Sequence, residues 1–245
     1  MGVYNVHAGH NSIVPGASKY LDEVTEDRKV KDKVISYIRQ AGHTVYDCTD
    51  DAGRSQGANL ANIVKKCNAH SVDLDISIHL NAGGGTGVEV LNYDSRTKTI
   101  SDRICSNISS ALGIRNRGTK YNKNLYVLAN TRALALLVEC CFVDSQTDKA
   151  AWDVDKCAKA IAEGVLGTKI QSGSSGSSSG SFLVKVLCDL NIRSGPGVNN
   201  KLVGTITDKG TYTIVETQYV GTVPWGRLKS GAGWISIHEK YVKRV

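Results

Sequence analysis

Residues Gln171 to Ser181 read QSGSSGSSSGS and contain no apolar side chain. A Gly/Ser stretch of this kind has nothing to bury and behaves as a flexible coil, its ends roughly 17–20 Å apart root-mean-square. A chain of 245 residues fits either one large domain or two small ones, and this tract decides for two. The expected organisation is a domain over 1–170, a linker over 171–181 and a second domain over 182–245.

The first domain alternates strand and helix patterns. Val3 to His7 opens as a strand, and Val30, Val34, Ile38 and Ala41 then recur at helical spacing, with Gly42 placed to end that helix. Thr44 to Tyr46 is a short second strand. Leu60, Ile63, Val64 and Cys67 mark a helix, and Asp73 to Ile78 and Gly87 to Tyr93 read as strands. Ile100, Ile104, Ile108 and Leu112 form a helical stripe ending at Gly113. Leu125 to Leu128 and Leu134 to Phe142 are expected as strands, and Cys157, Ile161 and Val165 as a closing helix capped by Asp153. Such alternation predicts an α/β domain with helices flanking a mixed, mainly parallel sheet.

The second domain differs in composition. It holds six of the fifteen aromatic residues, Phe182, Tyr212, Tyr219, Trp225, Trp234 and Tyr241. Runs such as TYTIVET and GWISI lie between Gly, Asn and Pro turn signals, which predicts a small all-β barrel. From Phe182 onward nine Lys or Arg face four Asp or Glu, so most of the net +7 sits in this quarter of the chain. A concentrated positive charge favours docking on a polyanion, such as nucleic acid or an anionic wall polymer. Neither domain carries a groove-reading motif, so nucleic acid is not expected as the partner.

No run of about 18 apolar residues exists, so membrane insertion is not expected. The N-terminus, MGVYNVHAGHN, has neither the basic start nor the apolar stretch of a secretory signal. If the protein works outside the cytoplasm, a route other than general secretion must deliver it. Seven cysteines, an odd number and without a CxxC pair, read as free thiols in a reducing compartment rather than as a disulfide framework or a metal site.

Several residues at element ends have the chemistry for hydrolysis. Catalytic zinc commonly takes three protein ligands and keeps a position open for water. His10 follows the first strand, Glu26 lies in the first turn of the first long helix, and His79 ends a strand. In α/β sheets, sites gather at the carboxyl ends of strands. Spacing alone does not join these three. Glu139 sits in the apolar run ALALLVECCF, where a carboxylate is costly unless paired or functional. Burial would raise its pKa toward neutrality, the range suited to proton transfer, and pairing with a base is the structural alternative. His7 reads as structural or at a substrate edge, and His43 and His70 as helix-end residues. His238 reads as solvated and Glu89 as strand scaffold, while Asn81 either orients a ligand, contacts substrate or forms a turn.

HAGHN, VTEDRKV, DLDISIHLNA followed by GVEVLNY, and ALALLVECCFVD, in this order, resemble the zinc amidases of the amidase-3 type, in particular clostridial phage and prophage endolysins. The resemblance implies that His10, Glu26 and His79 hold one zinc ion and that Glu139 transfers protons. It implies cleavage of the amide between N-acetylmuramic acid and L-alanine, with bacterial peptidoglycan as partner, by a protein made in the bacterial cytoplasm that acts at the cell wall after release. The chain departs from the pattern around the first ligand, where Asn11 and Ser12 follow His10, and after the catalytic Glu, where Cys140, Cys141 and Asp144 stand. LNIRSGPGVNNKLVGTI and WGRLKSGAGWISIHEKYV resemble a bacterial SH3-type wall-binding module. That resemblance makes Trp225 and Trp234 candidates for wall contact, with filling of the barrel core as the alternative. The competing expectations are a wall-binding protein without catalysis and a glycosidase using Glu26 and Glu139 as paired carboxylates.

Overall fold

The computed structural model describes residues 1–170, 181–220 and 223–245. The chain divides into two compact units, Met1–Ile170 and Gln171–Val245. Apart from Ser181, the Gly/Ser tract lies outside the described residues.

The first unit is a six-stranded sheet in the order β2-β1-β3-β6-β4-β5. Its strands are β1 (Val3–Ala8), β2 (Thr44–Asp47), β3 (Leu74–Asn81), β4 (Val88–Asn92), β5 (Asn116–Tyr121) and β6 (Ala135–Phe142). All neighbours pair in parallel except β4 with β6. The helices are α1 (Glu23–Gln40), α2 (Gln56–Cys67), α3 (Lys98–Leu112), α4 (Tyr126–Asn130), α5 (Gln146–Ala151) and α6 (Val154–Leu166).

Side-chain alternation along the strands divides two apolar clusters. Val6, Ile76, Ile78, Val90, Leu136 and Val138 pack with α1, α3 and α6 in the larger one. Ala135 and Leu137 pack with Cys48, Ile63, Val64, Cys67, Val127 and Leu128 on the α2 and α4 side. His7, Ser77, His79, Glu89 and Glu139 alternate onto this second face. Two helices of the larger layer start at side-chain caps. Asp22 caps α1 by accepting the Thr25 N–H, and Asp153 caps α6 by accepting the Lys156 N–H.

The elements follow the expected order with three local differences, one of them the short helix α5, which no apolar stripe announces. Leu125 to Leu128 was expected as a strand, but Tyr126–Asn130 is a helix. A four-residue apolar run suits either period, and burying Val127 and Leu128 against α2 selects the helix. β5 carries no apolar alternation because it is an edge strand paired with β4 alone.

The second unit is a seven-stranded antiparallel sheet in the order β13-β7-β10-β11-β12-β8-β9. Its strands are β7 (Phe182–Val186), β8 (Leu190–Arg193), β9 (Leu202–Ile206), β10 (Thr211–Val220), β11 (Val223–Leu228), β12 (Trp234–Ser236) and β13 (Val242–Arg244). They surround one small core of Val184, Val186, Leu190, Ile206, Ile214, Leu228, Ile235 and Val242. No helix among the described residues is long and apolar enough to cross a membrane. All seven cysteines are free thiols, and all but Cys188 are buried.

Candidate functional site

β3 and β6 pair in register at His79 and Glu139, and β6 and β4 pair at Glu139 and Glu89. Three ionisable side chains therefore stand in a row across adjacent strands, each step about 4.8 Å. His10 joins them from the turn after β1, where its backbone adopts φ +49. The fifth contributor is Glu23, the first residue of α1. Its Oε1 lies 3.1 Å from His79 Nδ1 and 3.6 Å from His10 Nε2. Ligand atoms of His10, Glu23 and His79 all lie within 4.8 Å of one another. Tetrahedral zinc with bonds of about 2.0–2.2 Å keeps its ligand atoms about 3.3 Å apart. Two imidazoles and one carboxylate at these separations suit such an ion.

The second carboxylate oxygen of Glu23 accepts the Ala17 N–H at 2.8 Å, and Oε1 also accepts the Leu80 N–H at 3.2 Å. Two glycines make the close approach possible. A Cβ on Gly9 would lie 2.0 Å from His79 Cε1, and one on Gly16 would lie 2.1 Å from Glu23 Oε2. Arg28 clasps the His10 turn, donating to the Gly9 and His10 carbonyls at 3.1 and 2.9 Å. It also pairs with buried Asp27 at 3.0 Å and with Asp51 at 2.6 Å. Asn11 is buried, accepts the Ile13 and Val14 N–H groups and donates to Gly53 O, so this residue braces the turn.

Charge is distributed unevenly. Burial raises the Glu139 pKa to about 7, with Glu23 and Glu89 adding to the rise and His79 opposing it. Its Oε2 is buried with no hydrogen-bond partner among the described residues. Burial opposes charge on His79, but the Glu23 hydrogen bond and the Glu139, Glu23 and Asp27 carboxylates outweigh it and raise the pKa. Burial lowers that of His10, the Glu23 charge opposing. Glu23 is held below the usual carboxylate range: burial pushes its pKa up, but His79, His10 and the Ala17 amide more than compensate. A carboxyl that titrates near neutrality beside a trio of ligand-type groups is equipped to shuttle a proton.

Of the expected ligands, His10 and His79 meet and Glu26 does not join them. Glu26 accepts from Trp152 Nε1 at 2.8 Å and pairs with Lys29 at 2.7 Å. At 100° per residue, the buried stripe of α1 through Asp27, Val30, Val34 and Ile38 passes through Glu23 and leaves Glu26 on its flank. Extending that stripe seven residues back from Val30 was the signal that points to Glu23.

Asn81 donates to Glu89 Oε1 at 2.9 Å, which makes it a brace for that carboxylate. His7 is 1% exposed, and burial lowers its pKa to about 3, so it is a neutral structural ring beside Ser77. His70 stacks on Tyr46, and His43 accepts the Gly2 N–H. In the second unit Trp225 and Trp234 are 4% and 8% exposed. At these exposures the two side chains leave little surface for contact with a polymer.

A family model for N-acetylmuramoyl-L-alanine amidase matches residues 5–167. The chain is 28% identical over 265 residues to an uncharacterized protein of Clostridium perfringens, covering 97% of this chain and 78% of that one. It is 35% identical over 112 residues to the N-acetylmuramoyl-L-alanine amidase CwlM of Bacillus licheniformis, 44% of each chain. Among solved structures, the catalytic domain of the CD27L endolysin targeting Clostridia difficile superposes with a TM-score of 0.65 at 26% identity, over 70% of this chain and 100% of that one. The matched segment contains His10, Glu23, His79 and Glu139, and with them the chain belongs to the N-acetylmuramoyl-L-alanine amidase family.

Proposed function

We propose that the chain cleaves the muramoyl–L-alanine amide with one zinc ion held by His10, Glu23 and His79, and with Glu139 as the proton-transfer group. Peptidoglycan amide hydrolysis is the activity of its family. The observation that carries the zinc reading is the gathering of three ligand atoms, from a turn, a helix start and a strand, within 4.8 Å. Zinc in that place supplies Lewis-acid polarisation of the scissile carbonyl. Glu139 takes a proton from the attacking water and passes it to the departing amine of L-alanine. Burial favours the protonated form of Glu139 and a zinc ion beside it would favour the carboxylate, so one carboxyl is suited to accept and then release a proton. Arg28, Gly9 and Gly16 keep the His10 turn and Glu23 in place through the cycle.

The second unit, in this proposal, is an SH3-type module that holds the enzyme on the wall. Its charge supports that role, and with both tryptophans buried the contact falls to exposed basic side chains such as Lys185, Lys201, Lys209 and Lys229. A binding unit on the same chain raises the local concentration of the catalytic one without new contacts at the site.

The test is bond analysis on purified peptidoglycan. The expected result is new alanine amino termini without new reducing sugar ends, abolished by a chelator and restored by zinc. New reducing ends, or full activity in the chelator, would contradict the proposal.

A further inference from the structure

The row His79, Glu139, Glu89 continues to β5, where Arg117 occupies the register irregularity opposite Val88 and Glu89. Arg117 donates through Nε to Glu89 Oε2 at 2.7 Å. Its guanidinium lies 4.9 Å from the centre of the Phe142 ring. Among the described residues no hydrogen bond occupies its terminal nitrogens, and the side chain is 29% exposed. The support is rigid. Gly85 packs so closely on Phe142 that a Cβ there would lie 2.5 Å from the ring, and Asp144 holds the adjoining Gly83 and Gly84 amides at 3.0 and 2.8 Å. A planar cation fixed by Nε and by a ring face presents its remaining N–H groups as a fork suited to a carboxylate.

We infer that Arg117 forms a subsite for a free carboxylate on the peptide stem, at the residue that follows L-alanine. This deepens the amidase reading and rests on it. The spacing agrees. Glu89 is one strand spacing from Glu139 and β5 is two, about 5–10 Å, while a second stem residue lies about 7 Å beyond the scissile nitrogen. Glu89 then serves to aim Arg117, and Asn81 to aim Glu89.

The experiment compares two muramoyl-peptides of equal length, one with a free acid at the second residue and one with the carboxamide, using the full chain. Wild type is expected to show a KM about tenfold lower for the acid with similar kcat. Arg117→Gln should raise KM for the acid well beyond any change on the amide substrate and so erase the preference, and Arg117→Lys should keep part of it. Equal KM values in wild type, or an equal loss on both substrates in Arg117→Gln with the fold intact by thermal unfolding, would overturn the subsite. Failure of wild type to cleave either compound would instead overturn the amidase reading and this inference with it.

Discussion

The two units differ most in what they bury. Among the described residues every buried charged side chain, from Glu23 and Asp27 to Asp148 and Glu163, lies in the first unit, and the second buries a single polar residue, Ser236. Burying charge costs free energy unless partners compensate, so a fold that does it repeatedly is holding chemistry in place. The first unit compensates through Arg28, the Ala17 and Leu80 amides and facing histidines, and leaves one oxygen of Glu139 without a partner. The second leaves no charged residue fully buried among those described, and its Glu216 is paired with Arg227.

This contrast can be broken or sharpened by substitution. Glu139→Gln removes the titrating carboxyl and should lower amide cleavage by about 10²–10⁴-fold with zinc content unchanged, read by turnover on a soluble muramoyl-peptide and by metal analysis. Retained turnover would remove Glu139 from the proton path. Ile214→Ala, at the fully buried centre of the second core, should destabilise that unit by about 2–5 kcal/mol. Calorimetry should show one transition moving, with hydrolysis of the soluble peptide unaffected. A loss of that hydrolysis would show that the two units depend on each other.

His7 tests the buried polar layer itself. Folding lowers its pKa from 6.5 to about 3 because burial disfavours the cation. Above pH 6.5 the ring is neutral in both states and nothing is lost. As pH falls from 6.5 toward 3 the unfolded chain binds a proton that the folded one does not, and stability declines by up to about 1.4 kcal/mol per pH unit. His7→Gln should flatten that limb in urea unfolding, and an unchanged slope would mean that His7 is protonated in the fold. The smallest effect is expected from Glu26→Gln. It weakens the contacts to Trp152 and Lys29, costs about 1 kcal/mol of stability and leaves zinc content as it was.

Much of this was legible from periodicity. The stripes of α1, α3 and α6 and the apolar strands β3 and β6 announce themselves because each buries one side against a layer. β5 did not, since an edge strand with polar side chains carries no burial pattern. Glu23 was missed for a related reason. Glu23 and Glu26 both fall in the first turn of α1, and only the stripe through Asp27 and Val30, together with the strand end that delivers His79, distinguishes them. Pairings between distant stretches, such as Glu139 with His79 and Glu89, depend on sheet order and register, which local composition does not encode. The tryptophans show the converse limit: an aromatic in a small sheet serves burial as readily as recognition, and the residue type does not choose between them.

The most direct measurement is anomalous diffraction at the zinc edge on crystals of the zinc-loaded chain. The account predicts one strong peak in the first unit, about 2.0–2.2 Å from single atoms of His10, Glu23 and His79, and no such peak in crystals of Glu23→Gln. A peak coordinated by Glu26 in place of Glu23, or metal bound away from both histidines, would contradict it.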